Sequence, residues 1–150
     1  MYEGDVVAFY AEKNGDLITF LAAQSGISSR VGTGTAAKIY PLVEPQKATG
    51  QSIVIWRAGG TQYANLQGDN NCGRDTVHFF CYGSKSSDAD ALEKALYDAI
   101  GAVRSQMIGS TYVHQIAAIG RPEQGYDDPR DGGAERRYWT KRVYDITLVA

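Results

Sequence analysis

From Thr76 to Tyr82 the chain alternates without a break, with Val77, Phe79 and Cys81 on one parity and Thr76, His78, Phe80 and Tyr82 on the other. Period two over this length fits a strand and not a helix, because successive side chains on a strand point to opposite faces. A second run, Ile53-Val54-Ile55-Trp56, is β-branched and aromatic, the composition of a well-buried strand. Gly59-Gly60 and Gly68-Asp69-Asn70-Asn71 bracket Tyr63 to Leu66 between these runs, which predicts a long hairpin arm too polar to belong to a core. Lys38-Ile39-Tyr40 is a short extended piece stopped by Pro41, with Pro45-Gln46 in the following bend.

Elsewhere the period becomes helical. Leu92, Leu96, Ile100, Val103 and Met107 form one stripe, predicting a helix that begins at Ser87, uses Asp90 in a weak capping box and ends at Gly109. The stripe reads as packing against the sheet, since a cofactor site would need convergent polar groups beside it. Near the N-terminus, Asp5 to Lys13 precedes an Asn14-Gly15 break. Asp16 is placed to cap a short helix through Leu17, Phe20, Leu21 and Gln24, with Gly26 as its terminator. Ser28 to Ala36 is Gly, Ser and Thr rich and reads as a loop. Thr111 to Ile119 is predicted as a third main strand, Gly120 to Gly133 as a long loop, and Tyr138 to Val149 as the last strand. This order gives an α+β fold, an antiparallel sheet with helices packed on one face and long β-hairpin arms.

With 150 residues, 43% of them hydrophobic and 21% charged, residues 1–150 are expected to form one domain that needs neither disulfides nor a metal. Cys72 lies in a polar stretch and Cys81 in the alternating run, so two free thiols are expected, one exposed and one buried. The opening Met1-Tyr2-Glu3-Gly4-Asp5 lacks a basic region followed by an apolar run, so no signal peptide and no membrane association are expected. A net charge of −2 argues against a sequence-general nucleic-acid binder.

Catalytic chemistry finds little support. His78 and Cys81 lie three apart on a strand and so face opposite ways. A Cys81–His114 dyad would join two separate strands, and buried packing roles are the commoner use of such residues. Asp127, Asp128 and Asp131 lack EF-hand spacing and are interrupted by Pro129 and Arg130, so a solvated loop is expected rather than a cation site. Gly32-Thr33-Gly34 carries neither a dinucleotide fingerprint nor a phosphate loop. No catalytic residue, cofactor or metal is therefore expected, and the chain is not expected to be an enzyme.

The segment Lys38-Ile39-Tyr40-Pro41-Leu42-Val43-Glu44-Pro45-Gln46, followed by Ser52-Ile53-Val54-Ile55-Trp56-Arg57, resembles the tail-completion (tail-terminator) family of double-stranded DNA bacteriophages. The order of helical opening, Ile-Tyr-Pro segment, strand, glycine-containing hairpin, strand, amphipathic helix and closing strands follows that family over nearly the whole chain. Gln51-Ser52 stands where the family commonly has Pro and an aromatic, and Gly120 to Gly133 is longer than usual. The resemblance implies a structural virion protein, made in the bacterial host cytoplasm. It would form a homo-hexameric ring that caps the head-proximal end of the tail tube, presents a surface to head-completion and neck proteins, and lets DNA pass through its channel. Thr61 to Arg74 and Arg121 to Arg137 are the segments suited to ordering on assembly. Tyr63, Arg74, Tyr126, Arg130 and Arg136 within them are the residue types that anchor interfaces. The alternatives are another neck or tail-tube ring component and, further off, a small bacterial ligand-binding or enzymatic domain.

Overall fold

A computed structural model describes the backbone of residues 15–45, 48–65, 68–129 and 135–149, and the side chains of these apart from 60–65, 68–72 and 149. The segment Asp5 to Lys13 lies outside the described residues. Helix α1 covers 15–22, α2 Ser25–Val31 and α3 Ser86–Ile100, with a single 3-10 turn at Gly34–Ala36. The strands are β1 (Ile39–Pro41), β2 (Ser52–Asn65), β3 (Gly68–Gly83), β4 (Arg104–Ile108), β5 (Thr111–Asp127) and β6 (Arg137–Val149). They form one six-stranded sheet in the order β1-β2-β3-β6-β5-β4. Every pairing is antiparallel except β1 with β2, which is parallel. The α+β class holds, with this single parallel edge.

One face of the sheet carries the core. Ile53 pairs with Cys81, Ile55 with Phe79, and Val77 with Tyr144. Cross-strand partners share a face, so these rows present a continuous apolar surface. Upon it sit Leu17 and Leu21 of α1, Ile27 and Val31 of α2, and Leu92, Leu96 and Ile100 of α3. Phe79 meets Tyr144 edge-on at 5.3 Å between centroids, an arrangement favoured by the ring quadrupoles.

Several boundaries differ from the sequence reading, each for a local reason. Gly26 lies inside α2, where Ile27 and Val31, four apart, are buried; the turn comes later, at Gly32 with φ 97°. Tertiary burial there outweighs the poor helix propensity of Ser and Gly. Gly15 is helical, and Asp16 is no cap: its carboxylate accepts from the Ser110 backbone N–H at 3.2 Å, fastening α1 to the β4–β5 turn.

Helix α3 ends at Ile100 rather than Gly109. Gly101 follows directly, donating its N–H to the Tyr97 carbonyl, and any Cβ there would come within 2.7 Å of that oxygen. Val103 stays in the core, but Met107 belongs to β4 and is exposed. Asp90 is not a capping residue either, for its carboxylate accepts from Thr140 Oγ1 at 2.6 Å and from Gln124 Nε2 at 2.7 Å, tying α3 to β6 and β5.

The largest difference is the predicted loop 120–133, most of which is strand. β5 continues to Asp127, pairing Glu123 with Lys141 and Asp127 with Arg137 after a register shift beyond Ile119. Gly120, at φ 69°, turns the chain through the shift. Pro122 lacks a backbone N–H, which an outer strand tolerates because that side of β5 beyond β4 carries no partner strand among the described residues. Gly125 is required by packing, since a Cβ there would sit 2.2 Å from the Trp139 ring.

Candidate assembly interface

The described helices cover one face of the sheet, and among the described residues no helix lies on the other. On that outer face a row crosses four strands: Trp56 on β2, His78 on β3, Val143 on β6 and Ile119 on β5. A neighbouring row runs Tyr40, Val54, Phe80, Lys141 and Glu123, and a third Ser52, Tyr82, Trp139 and Gly125. Phe80 lies at the middle of the aromatic cluster, 6.3 Å from Trp56, 6.4 Å from Tyr82 and 5.4 Å from Trp139. The Lys141 ammonium sits 5.7 Å from the Phe80 ring and also pairs with Glu123 at 3.3 Å. The aliphatic stem of that lysine therefore spreads over apolar surface while its charge stays paired.

The chain after β1 folds back over this face. Glu44 is buried and holds Arg137 through two contacts, Nε to Oε1 at 3.0 Å and a second nitrogen to Oε2 at 3.2 Å. Ser52 donates to Glu44 at 2.6 Å, and the Arg137 guanidinium lies 5.8 Å from the Tyr82 ring. A bidentate pair with its remaining oxygens satisfied is the arrangement in which a buried ion pair is tolerated. It pins residues 42–45, and the two residues just before Glu44 face solvent: Leu42 is 71% exposed and Val43 62%. Leu42 also has φ 70°, a conformation uncommon outside glycine, so local structure imposes this exposed position at a cost. Leu42, Val43, Trp56, Phe80 and Trp139 enclose a hollow of about 270 Å³ open to solvent.

The residues expected to anchor an interface separate into two ends. Tyr126 and Arg136 come together at the β5–β6 end, with the guanidinium 4.6 Å from the ring, and Arg136 also reaches Asp128 at 3.3 Å. Arg74 stands exposed at the opposite end, beside Asp145 at 3.8 Å. The two sites are separated along β6 from Tyr138 to Thr147, roughly 30 Å at the usual rise of a strand. The Tyr63 side chain and Arg130 lie outside the described residues.

The two expected arms also prove unlike. The β2–β3 hairpin extends past the last β3–β6 pair, Cys72 with Val149, and so projects from the sheet. Residues 123–127 instead pair within the sheet and are held by Asp90 and Lys141, so much of the segment 121–137 is framework and not a free arm. Arg137, Glu44, Leu42 and Trp56 were not distinguished as site residues by sequence reasoning. The Leu42-Val43 pair between two prolines was the available signal, an apolar dipeptide in a segment with no strand or helix to bury it.

Cys81 is buried among core residues, and burial pushes its thiol well above the ordinary value, with Glu93 adding to the effect. His78 is on the outer face, where partial burial and then Lys141 lower its pKa. Cys81 pairs across to Thr140, whereas His114 lies next to the Gln115–Thr147 pair, more than 20 Å further along β6 by the strand rise. Cys81 therefore reaches neither histidine. Cys72 is nine positions from Cys81 on the same strand, beyond bridging distance. Among the described residues no group of three or more His, Cys, Asp or Glu is disposed to hold a metal ion, and no helix is long and apolar enough to cross a membrane. Asp131 lies outside the described residues. Asp127 accepts from the Tyr82 hydroxyl at 3.2 Å and Asp128 pairs with Arg136.

No protein-family model matches the chain, and no curated protein matches it. Among solved structures, the chain is similar to one from the virion of a native gene transfer agent particle, with a TM-score of 0.64 at 15% identity. The match covers 87% of this chain and 90% of that one. At this identity the likeness is one of fold.

Proposed function

We propose that this chain is a structural subunit of a bacteriophage or phage-like virion, and within it the tail-completion subunit, a ring that caps the head-proximal end of the tail tube. The observation that carries the reading is the fold, shared over nearly the full length of both chains with a component of a gene transfer agent virion. The finer assignment rests on the resemblance of residues 38–46 and 52–57 to the tail-completion family, and its ring geometry on the same resemblance. The surface suits assembly: one sheet face carries no helix among the described residues, aromatic groups line it, and a hairpin projects beyond the sheet. In this reading the chain is not an enzyme. Its partners are further copies of itself, the tail-tube protein and the head-completion proteins, with DNA only passing through the channel.

The test is the mass of the purified protein, alone and with tail tubes, followed by restoration of infectious particles in cells infected by a phage lacking the parent gene. A closed ring that binds tube ends and stops their growth supports the assignment. Helical stacking of the isolated protein into a tube assigns it instead to the tube, and a monomer indifferent to tubes and unable to restore particles refutes both.

A further inference from the structure

On the helix side of the sheet, the first turn of α1 meets strands β4, β5 and β6 around a small cavity of about 30 Å³. Its walls are largely apolar, but Asp16, Arg57, Asp75 and Thr111 also line it. Three of these have known engagements: Arg57 pairs with Asp75, and Asp16 accepts from the Ser110 backbone N–H and hydroxyl. Thr111 differs. It is 2% exposed, and its hydroxyl meets no hydrogen-bond partner among the described residues. Taking a hydroxyl out of water without a replacement bond is costly, and buried polar groups in folded proteins almost always find one. The cavity is far smaller than the roughly 300 Å³ at which organic ligands are accommodated. It is large enough for water, which needs about 10–15 Å³ and at least two polar partners.

We infer that this cavity is a binding site for ordered water, which bridges the Thr111 hydroxyl at the start of β5 to the Asp16 carboxylate at the start of α1. The Thr111 hydroxyl donates to the water, and the water donates to a carboxylate oxygen, each of which accepts more than one hydrogen bond. Chain geometry brings the two residues to the same place: Asp16 is bonded to Ser110, the residue just before Thr111. The water thus adds a link to the direct bond between α1 and the β4–β5 turn, and such a bridge is nearly as favourable as a direct hydrogen bond. The Tyr144 hydroxyl makes a control. It too is buried without a partner, but Tyr144 lines neither this cavity nor the outer hollow, so no space for water adjoins it there. The site belongs to the folded subunit and does not depend on the tail-completion reading.

A crystal structure of the purified protein that resolves solvent should show a water within hydrogen-bond distance of both Thr111 Oγ1 and the Asp16 carboxylate. Thr111→Val keeps the shape of the side chain and removes the hydroxyl. It should lose that water, and with it one long-lived water in oxygen-17 relaxation dispersion, and its urea midpoint should fall by about 0.3–1 M. Thr111→Ser restores the hydroxyl and should keep the water. Tyr144→Phe should leave the count of long-lived waters unchanged. A parent structure with no solvent peak between Thr111 and Asp16 overturns the site, whether or not the valine variant folds. So does a Thr111→Val midpoint equal to or above that of the parent, the result expected of a hydroxyl that never had a partner. A peak ringed by six or more oxygens at about 2.3–2.6 Å is a metal cation and overturns the assignment to water.

Discussion

Replacing Arg137 by Met should cost more than replacing its partner, and replacing both should cost least. The Arg137 side chain is 6% exposed and that of Glu44 1%. Arg137→Met removes the bidentate cation from a buried carboxylate that also accepts from Ser52, and breaking a buried ion pair costs about 3–5 kcal/mol. Glu44→Leu costs less, about 2 kcal/mol, because Arg137 keeps Glu135 at 3.3 Å on the solvent side. In the double variant no buried charge is stranded, and the chief loss is the Ser52 hydroxyl, whose bonds to both residues disappear, about 1 kcal/mol. Urea unfolding of the four proteins measures all three quantities, and midpoints at a common slope give the coupling. A double variant whose loss equals the sum of the two single losses would refute the reasoning, as would Arg137→Met within about 1 kcal/mol of the parent. The double variant, though nearly as stable, should assemble less well, because residues 42–45 lose the anchor that sets Leu42 and Val43 at the lip of the hollow.

Leu96 is fully buried in the α3 stripe, so Leu96→Asp should abolish the cooperative thermal transition, and a native-like melt would contradict the core placement. Gly125→Ala should destabilise by about 1–3 kcal/mol by forcing Trp139 from its position, visible as a change in tryptophan fluorescence, and an unchanged spectrum with unchanged stability would show that the ring has room. The Tyr144 hydroxyl is buried with no hydrogen-bond partner among the described residues, so Tyr144→Phe should be neutral to about 1 kcal/mol stabilising at pH 7. Burial, and then Glu93, also raise the Tyr144 pKa above its ordinary value, against a lowering by Arg142. The folded state thus keeps a proton that the unfolded chain releases from about pH 10 upward, and stability falls as pH rises through that window. Tyr144→Phe should lessen this alkaline loss, and parallel melting curves for the two proteins above pH 10 would rule the account out.

Elements whose side chains repeat at a single period were readable in advance. The alternation of Thr76 to Tyr82 placed Val77, Phe79 and Cys81 inward as the structure has them, and the spacing of Leu92, Leu96 and Ile100 gave the buried face of α3. Periodicity failed where a pattern ran on across a break in the backbone. Val103 and Met107 continue the helical spacing past Gly101, yet only the contact of Gly101 with Tyr97 marks where the helix stops. The second half of β5 was unreadable for the opposite reason: Gly120, Pro122 and Gly125 are loop residues by composition, and they serve a strand because one turns a register shift, one lies on an open edge and one makes room for Trp139. The site was less legible than the fold. Its charged anchor joins residues 93 positions apart in the chain, and no local pattern announces such a pair.

Sequence by itself determined the α+β class, the strand faces and the helix stripe, because side-chain periodicity is a local property that burial must respect whatever the topology. Tertiary structure alone decided which edges and which face remain uncovered. The sheet order sets β4 and β1 at its two borders, and the described helices gather on the side of Phe79 and Tyr144, so that among the described residues no helix covers Trp56, Phe80 and Trp139. Exposure of that kind depends on what every other segment covers, a global property of the packed chain that no single stretch of residues encodes.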